Sequence, residues 1–242
     1  MCKDCGCSMG EAHTLRTREN PELKQAKTVE VIASILSKND HEAAHNREHF
    51  SAAGVPCINL MSSPGSGKTM LLQKTIEALG GEFRISVIEG DLESENDAKK
   101  VREAGAQAFQ ITTGQTCHLD AFMVHEALHH LDLKACDLLF IENVGNLVCP
   151  ASYDLGQHFN VVLLSVTEGS DKPQKYPVMF QKADMVLITK ADLAEHFDFD
   201  FAEAKSLIKR LNPKADIITL DARTGRNLEL WYQFLRLKKE CF

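Results

Sequence analysis

The 242-residue chain has no apolar run that approaches the ~18 residues of a membrane span. It also lacks an excess of positive charge. Its 27 Lys and Arg stand against 34 Asp and Glu, for a formal net charge of −7. That balance argues against unspecific nucleic-acid binding, which needs a basic face. No apolar leader opens the chain; the first residues are polar and carry cysteine. The expected compartment is therefore cytoplasmic, and the eight cysteines are expected to be thiols. Clustered cysteines there more often bind metal or do redox work than form disulfides. Internal repeats and low-complexity segments are missing as well. Hydrophobic residues make up 44% and charged residues 25%, enough for one large α/β domain with a core and a small extension.

The most informative stretch is Ser62-Ser63-Pro64-Gly65-Ser66-Gly67-Lys68-Thr69. It follows an apolar run, Val55 to Met61, that reads as a buried strand, and precedes Met70 to Leu79, which has helical spacing and stops at Gly80-Gly81. A glycine loop between strand and helix is the context of a phosphate site. Backbone amides freed by Gly65 and Gly67, with Ser66 between them, curl around an anion, and the helix start adds its positive dipole end. Lys68 is placed to reach the β- and γ-phosphates, and Thr69 to put its hydroxyl on Mg²⁺. Ser62 stands where a first glycine is usual.

Residues 1–20 read as a flexible polar tail. Cys2, Cys5 and Cys7 lie within it, close enough to wrap one soft or borderline ion. If Met1 is removed, the Cys2 amine adds a nitrogen, and a planar set of three sulfurs and one nitrogen suits Ni²⁺. The alternative is a tail with incidental thiols. Residues 21–53 read as two helices, Pro21 to Asn39 and Asp40 to Ala53, ended by Gly54. His41, His45 and His49 share a face of the second. They form a metal-binding pair or, in the blander reading, a solvated face, because no carboxylate or thiolate completes the set. The remaining residues, 54–242, read as the phosphate-binding domain.

Within that domain, Arg84 to Glu89 is a core strand ending in Gly90-Asp91. Asp91 is a candidate for the Mg²⁺ shell or for holding the attacking water, and alternatively a helix cap. Asp137 to Glu142 is the next central strand, and Glu142 fits the acid that contacts Mg²⁺ through water. Gly145, just beyond it, has a backbone N–H suited to sensing a γ-phosphate. Cys117 and His118 begin a helix on which His125, His129 and His130 are expected to face solvent; Cys149 follows Gly145. Thr189-Lys190-Ala191-Asp192 is similar to the guanine-reading pattern Asn-Lys-x-Asp. Asp192 accepts from the N1 and exocyclic N–H groups of guanine, a donor pair adenine lacks, and Lys190 packs on the ring. Ala222, in Asp221 to Gly225, sits where a backbone amide usually meets guanine O6. Asn227 to Lys239 reads as an amphipathic helix with Leu228, Leu230, Trp231, Phe234 and Leu235 inward.

Ser62 to Thr69, Glu89-Gly90-Asp91, Thr113-Gly114 with Cys117-His118-Leu119, Glu142 to Pro150 and Thr189 to Asp192 fall in an order that resembles the hydrogenase nickel-incorporation GTPases, the hydrogenase maturation factor B family, related to the urease nickel GTPase. The resemblance covers about Pro21 to the C-terminus, and Glu142 to Pro150 is its most specific part. It implies a P-loop NTPase with a mostly parallel sheet flanked by helices, a helical extension and a metal-binding tail. It implies a slow, Mg²⁺-dependent GTPase acting as a nickel metallochaperone for [NiFe] hydrogenase, dimerising with nucleotide or metal. Its implied partners are the hydrogenase large-subunit precursor and other maturation factors; the charge balance and the lack of a long apolar run already speak against nucleic acid and membrane. It implies a second site, for Ni²⁺ or Zn²⁺, from Cys117, His118 and Cys149, and assigns Cys2, Cys5 and Cys7 to the tight nickel site of some members. The alternatives are a nickel-storage protein with a vestigial nucleotide site, a urease-type nickel GTPase, and a P-loop kinase, against which Asp192 speaks.

Overall fold

The structure, a computed structural model, describes residues 21–91 and 96–242, and side chains from residue 33 onward within the first helix. Seven strands form one sheet: β1 (Cys57–Ser62), β2 (Ile85–Asp91), β3 (Gln107–Thr112), β4 (Leu138–Glu142), β5 (Phe159–Ser165), β6 (Met185–Thr189) and β7 (Asp216–Thr219). The helices are α1 (Pro21–Ala52), α2 (Lys68–Leu79), α3 (Asn96–Glu103), α4 (Ala121–Leu128), α5 (Lys172–Lys175), α6 (Pro177–Gln181), α7 (Phe201–Leu211) and α8 (Leu228–Glu240). The strand order is β3-β2-β4-β1-β5-β6-β7, and every pairing is parallel. A parallel sheet needs cover on both faces, so its central strands are apolar on both sides. Ile58, Leu60, Leu138 and Phe140 face α2 and α8, where Leu71, Leu72, Trp231 and Leu235 pack. Cys57, Leu139 and Ile141 face the opposite way, onto Phe50 of α1 and Val124 of α4. Met61, Val162 and Leu164 meet Met179 and Ile208 on that second face.

Residues 21–52 form one continuous 32-residue helix, where the sequence predicts a break after Asn39. The expected break rests on Asp40 as an N-cap, with Asn39, another short polar side chain of the kind that favours helix ends, just before it. Here the Asn39 amide is committed elsewhere: Nδ2 donates to the Asp154 carbonyl at 2.8 Å, and Oδ1 accepts from the Ala121 N–H at 2.9 Å. Asn46 continues the docking, donating to the carbonyls of Ala121 at 2.8 Å and Leu155 at 3.2 Å. The last helix differs in one detail. Leu228, Trp231 and Leu235 are buried and Phe234 is partly so, but Leu230 is half exposed. Trp231 donates its indole N–H to Thr75 Oγ1 at 2.9 Å.

β1 has β4 on one side and β5 on the other, while the chain leaves it for β2. That reversal of direction opens a crevice at the carboxyl ends of the strands, the usual ligand position in open α/β sheets.

Candidate functional site

The loop from Ser62 to Thr69 lies at this crevice, between β1 and α2. Gly65 and Gly67 have φ of 74° and 98°, and a Cβ on either would meet nothing within 4 Å, so backbone conformation, not crowding, asks for glycine. Ser62 does not share that left-handed conformation, so a side chain is tolerated there. It is fully buried; its hydroxyl donates to the Ser63 carbonyl at 2.7 Å and accepts from Lys68 Nζ at 3.0 Å. The buried Lys68 ammonium is thus parked against the loop it would serve.

A cavity of about 360 Å³ opens over the loop, lined by Gly65 to Met70, Glu89, Asp91, Asp97, Lys100 and Glu142 to Gly145, among others. On its floor, register pairs Glu89 of β2 with Glu142 of β4. Thr69 Oγ1 donates to Glu142 Oε1 at 2.9 Å. Glu89 and Glu142 hydrogen-bond one another, and burial, then the Glu142 charge, pushes the Glu89 carboxyl far above the usual range. Glu142 is also raised by burial, but Lys68, Glu89 and Thr69 pull against that. Glu89 therefore carries the proton and donates it toward Glu142. Apart from that shared proton, Oε2 of each carboxyl is buried and receives no hydrogen bond from another group among the described residues. Two acids with orphaned oxygens beside a Thr hydroxyl and a phosphate loop fit a hard divalent cation. Asp91 lies at the rim of the same cavity, where its backbone carbonyl accepts from the Thr113 N–H at 2.8 Å.

The segment expected to read the base follows β6. Thr189, in place of asparagine, donates its hydroxyl to the Ser66 carbonyl at 2.8 Å, so it ties that segment to the phosphate loop. Lys190 has φ 56° and turns the chain into a short helical stretch that begins at Ala191. The Asp192 carboxylate accepts from Thr224 Oγ1 at 2.6 Å and Arg226 Nη1 at 2.8 Å. These hydrogen bonds, Thr224 first, hold its carboxyl below the usual range, so it is an anion ready to accept. Asp221 Oδ1 accepts from the Arg223 and Thr224 amides at 2.9 and 3.2 Å, which curls residues 221–225 and leaves the Ala222 N–H without a partner among the described residues.

The expected metal trio also converges. One ligand atom each from Cys117, His118 and Cys149 lie within 4.8 Å of one another. Burial lowers the pKa of His118, keeping it neutral and able to ligate, and its ring stacks on Tyr153 at 4.0 Å. Three contacts join this cluster to the nucleotide cavity. Asn143 Oδ1 accepts from the Leu119 N–H at 3.2 Å and the Val144 N–H at 2.9 Å. Asn146 Nδ2 donates to the Cys117 carbonyl at 3.3 Å. A Cβ on Gly90 would sit 2.8 Å from the Leu119 side chain. Gly145 packs as closely on the phosphate loop: its Cβ would fall 2.8 Å from the Pro64 Cα.

The residues expected from sequence thus fall into three groups: Gly65 to Thr69 with Asp91, Glu142 and Gly145; Lys190 and Asp192 with the 221–225 turn; and Cys117, His118 and Cys149. Cys2, Cys5 and Cys7 lie outside the described residues. Sequence reasoning passed over Glu89, because Asp91 at the strand's end drew the assignment. The available signal was that Glu89, like Glu142, closes a run of apolar strand residues. The expectation for His125 is corrected: it is half-buried against α1, its Nδ1 3.2 Å from Glu42 Oε1, because α4 docks on α1 through Asn39 and Asn46.

A seven-stranded parallel sheet with a glycine loop, a lysine and threonine at the helix start, and a carboxylate floor defines a P-loop nucleotide-binding domain. The family model described as CobW/HypB/UreG, nucleotide-binding domain, matches residues 56–219, and the chain belongs to that family. It is 51% identical over 217 residues to the hydrogenase maturation factor HypB of Rhizobium leguminosarum bv. viciae, covering 90% of this chain and 73% of that one. It is 44% identical over 235 residues, 96% of each chain, to the hydrogenase/urease maturation factor HypB of Helicobacter pylori. The crystal structure of HypB from Helicobacter pylori in complex with nickel superposes with a TM-score of 0.81 at 45% identity, covering 84% of this chain and 95% of that one. HypB from Archaeoglobus fulgidus gives 0.80 at 44%, covering 84% and 100%.

Proposed function

We propose that this chain is a Mg²⁺-dependent GTPase of low turnover that delivers nickel during maturation of [NiFe] hydrogenase. The observation that carries the reading is the physical continuity of nucleotide cavity and thiol–imidazole cluster through Asn143, Asn146 and Gly90. The names of the relatives, hydrogenase maturation factors, support the destination. The name of the Helicobacter relative favours a second destination, urease, for the same machinery.

In this reading Gly65 to Thr69 hold the phosphates through backbone amides, and Lys68 leaves Ser62 for the β- and γ-oxygens. Glu142 and, once its proton has passed to solvent, Glu89 would hold the cation beside Thr69, with Asp91 orienting water at the rim. The chemistry Mg²⁺ supplies is charge neutralisation between the β- and γ-phosphates. Asp192 and the Ala222 amide select guanine, and the Lys190 stem covers the ring. Gly145, pressed on Pro64, swings its N–H toward the γ-phosphate and takes Cys149 with it. The described residues lining the cavity include no arginine, consistent with slow hydrolysis. The Cys117, His118 and Cys149 set leaves a position open for transfer of Ni²⁺ or Zn²⁺, and nucleotide-dependent homodimerisation would bring two such sets together. The hydrogenase precursor and other maturation factors are the proposed partners, met in the cytoplasm. Cys2, Cys5 and Cys7 are proposed to form a separate tight nickel site.

The test is GTP hydrolysis by the purified chain with and without Mg²⁺, beside Lys68→Ala. Activity that needs both Mg²⁺ and Lys68 supports the reading. Hydrolysis that survives in Lys68→Ala removes the phosphate loop from it, and metal binding without any nucleotide turnover leaves the storage alternative.

A further inference from the structure

The continuous helix α1 and the docked helix α4 bring together three imidazoles far apart in sequence. One nitrogen each from His45, His49 and His125 lie within 4.8 Å of one another. His45 and His49 are one helical turn apart on α1, with ring centroids 4.5 Å apart, and His125 of α4 lies 5.1 and 5.9 Å from them. His41, one turn earlier, stands outside the trio.

The surroundings settle which nitrogen is offered. His125 Nδ1 faces two acceptors, Asn46 Oδ1 at 3.1 Å and Glu42 Oε1 at 3.2 Å. Two acceptors on one nitrogen call for a proton there, which leaves Nε2 as the bare ligand atom. Glu42 Oε1 is also 3.6 Å from His45 Nδ1. A carboxylate behind two imidazoles fixes tautomer and ring orientation and raises ligand basicity, the arrangement metal-bound histidines commonly have. His45 and His49 are exposed, so an ion can enter and solvent can complete its shell.

We propose that His45, His49 and His125, backed by Glu42, form a metal site for a borderline divalent cation of the Zn²⁺, Ni²⁺ or Co²⁺ kind. Metal–nitrogen bonds of about 2.0–2.1 Å put ligands of one ion somewhat over 3 Å apart, so the trio closes by small side-chain rotations. The site holds no thiolate, which makes it softer in affinity and faster in exchange than a sulfur-rich one. It pins α1 to α4, the helix that Cys117 and His118 precede. It goes beyond the nucleotide reading: binding here requires neither GTP nor the cysteine cluster.

The experiment is a Co²⁺ titration of the full chain with Cys2, Cys5, Cys7, Cys117 and Cys149 replaced by Ala, at mildly alkaline pH. One saturable equivalent is expected, with visible d–d bands and without the near-ultraviolet charge-transfer bands of a thiolate ligand. His49→Ala and His125→Ala should each weaken it at least about tenfold, and Glu42→Gln, which removes no proposed ligand, by about tenfold. His49 is exposed, so its variant keeps the test sound if His125→Ala disturbs the helix contact. Absence of a saturable equivalent, or Co²⁺ binding indifferent to all three substitutions, overturns the proposal.

Discussion

Ser62 and Thr189 replace the glycine and asparagine usual at their positions, and each, like Asp221, has found a structural task. Ser62 holds Lys68, Thr189 holds the phosphate loop, and Asp221 shapes the turn around Ala222. The loop was legible from sequence because its chemistry is contiguous. The Glu89–Glu142 pair was not, because it exists only through adjacency of β2 and β4. That pair makes a prediction with a definite sign. Glu89 has its folded pKa raised by burial and by Glu142. Below the ordinary carboxyl pKa both folded and unfolded states hold the proton, and nothing is lost. As pH rises past it, only the folded state keeps the proton, so stability falls toward alkaline pH. Glu89→Gln should flatten that slope, raise the Tm of the nucleotide-free protein at neutral pH, and still depress Mg²⁺-dependent GTP turnover. Thermal melts across pH would refute the assignment if parent and variant ran parallel. A second residue-scale prediction concerns the base. Asp192→Asn should lower GTP affinity by roughly 10–100-fold, the worth of a charged hydrogen bond, and improve use of xanthosine triphosphate. Unchanged GTP preference in a competition assay would return Asp192 to its Thr224 and Arg226 contacts alone.

Helix α1 is where local reading misled and tertiary contact decided. Asn39 and Asn46 give no sign of a docking role in one dimension; in three, both are buried and clamp α1 to α4 and to residues 154–155. The central strands were legible because their apolar residues are contiguous, and α2 because its apolar period lies between Gly67 and Gly80. The docking partner of a helix leaves no such local trace. Asn46→Ala would strand two buried carbonyls and cost about 1–3 kcal/mol in denaturant melts. A change near zero would mean that water takes over the bonds. The far end of α1 rests on His158. Its Nδ1 accepts from the Cys57 N–H at 3.0 Å, and its ring meets Phe242 at 4.4 Å. Burial lowers its pKa from 6.5 to about 4. The folded state thus holds it neutral while the unfolded state takes a proton below pH 6.5, so its contribution is whole above 6.5 and drains away as pH falls toward 4. His158→Asn should be less pH-sensitive than the parent across that window. An unaltered acid profile would assign the sensitivity to other groups.

At the scale of the whole molecule, the proposed phosphate, base and metal stations all lie beyond the carboxyl ends of one sheet, and segment 142–149 touches the first and the last. Glu142 contacts Thr69, Gly145 packs on Pro64, Asn143 and Asn146 bind the chain at Leu119 and Cys117, and Cys149 joins the metal trio. A segment this short, held at both ends, cannot shift at Gly145 and leave Cys149 where it was. Metal affinity at Cys117, His118 and Cys149 should therefore differ between the GTP and GDP states. By linkage, metal must shift nucleotide affinity by the same factor, typically about 1–3 kcal/mol. The size of that coupling belongs to the hydrogen bonds between the two sites, not to the ligands themselves. Asn146→Ala, which removes neither a metal ligand nor a phosphate contact, should shrink the difference while leaving metal binding in the GDP state nearly intact. The measurement is Ni²⁺ titration of the chain with Cys2, Cys5 and Cys7 replaced by Ala, in GDP and in a non-hydrolysable GTP analogue, with and without Asn146→Ala. Equal affinities in the two nucleotide states would separate the stations energetically and reduce Cys149 to a packing residue. A difference that survives Asn146→Ala undiminished would route the coupling through Gly90 and Leu119 instead.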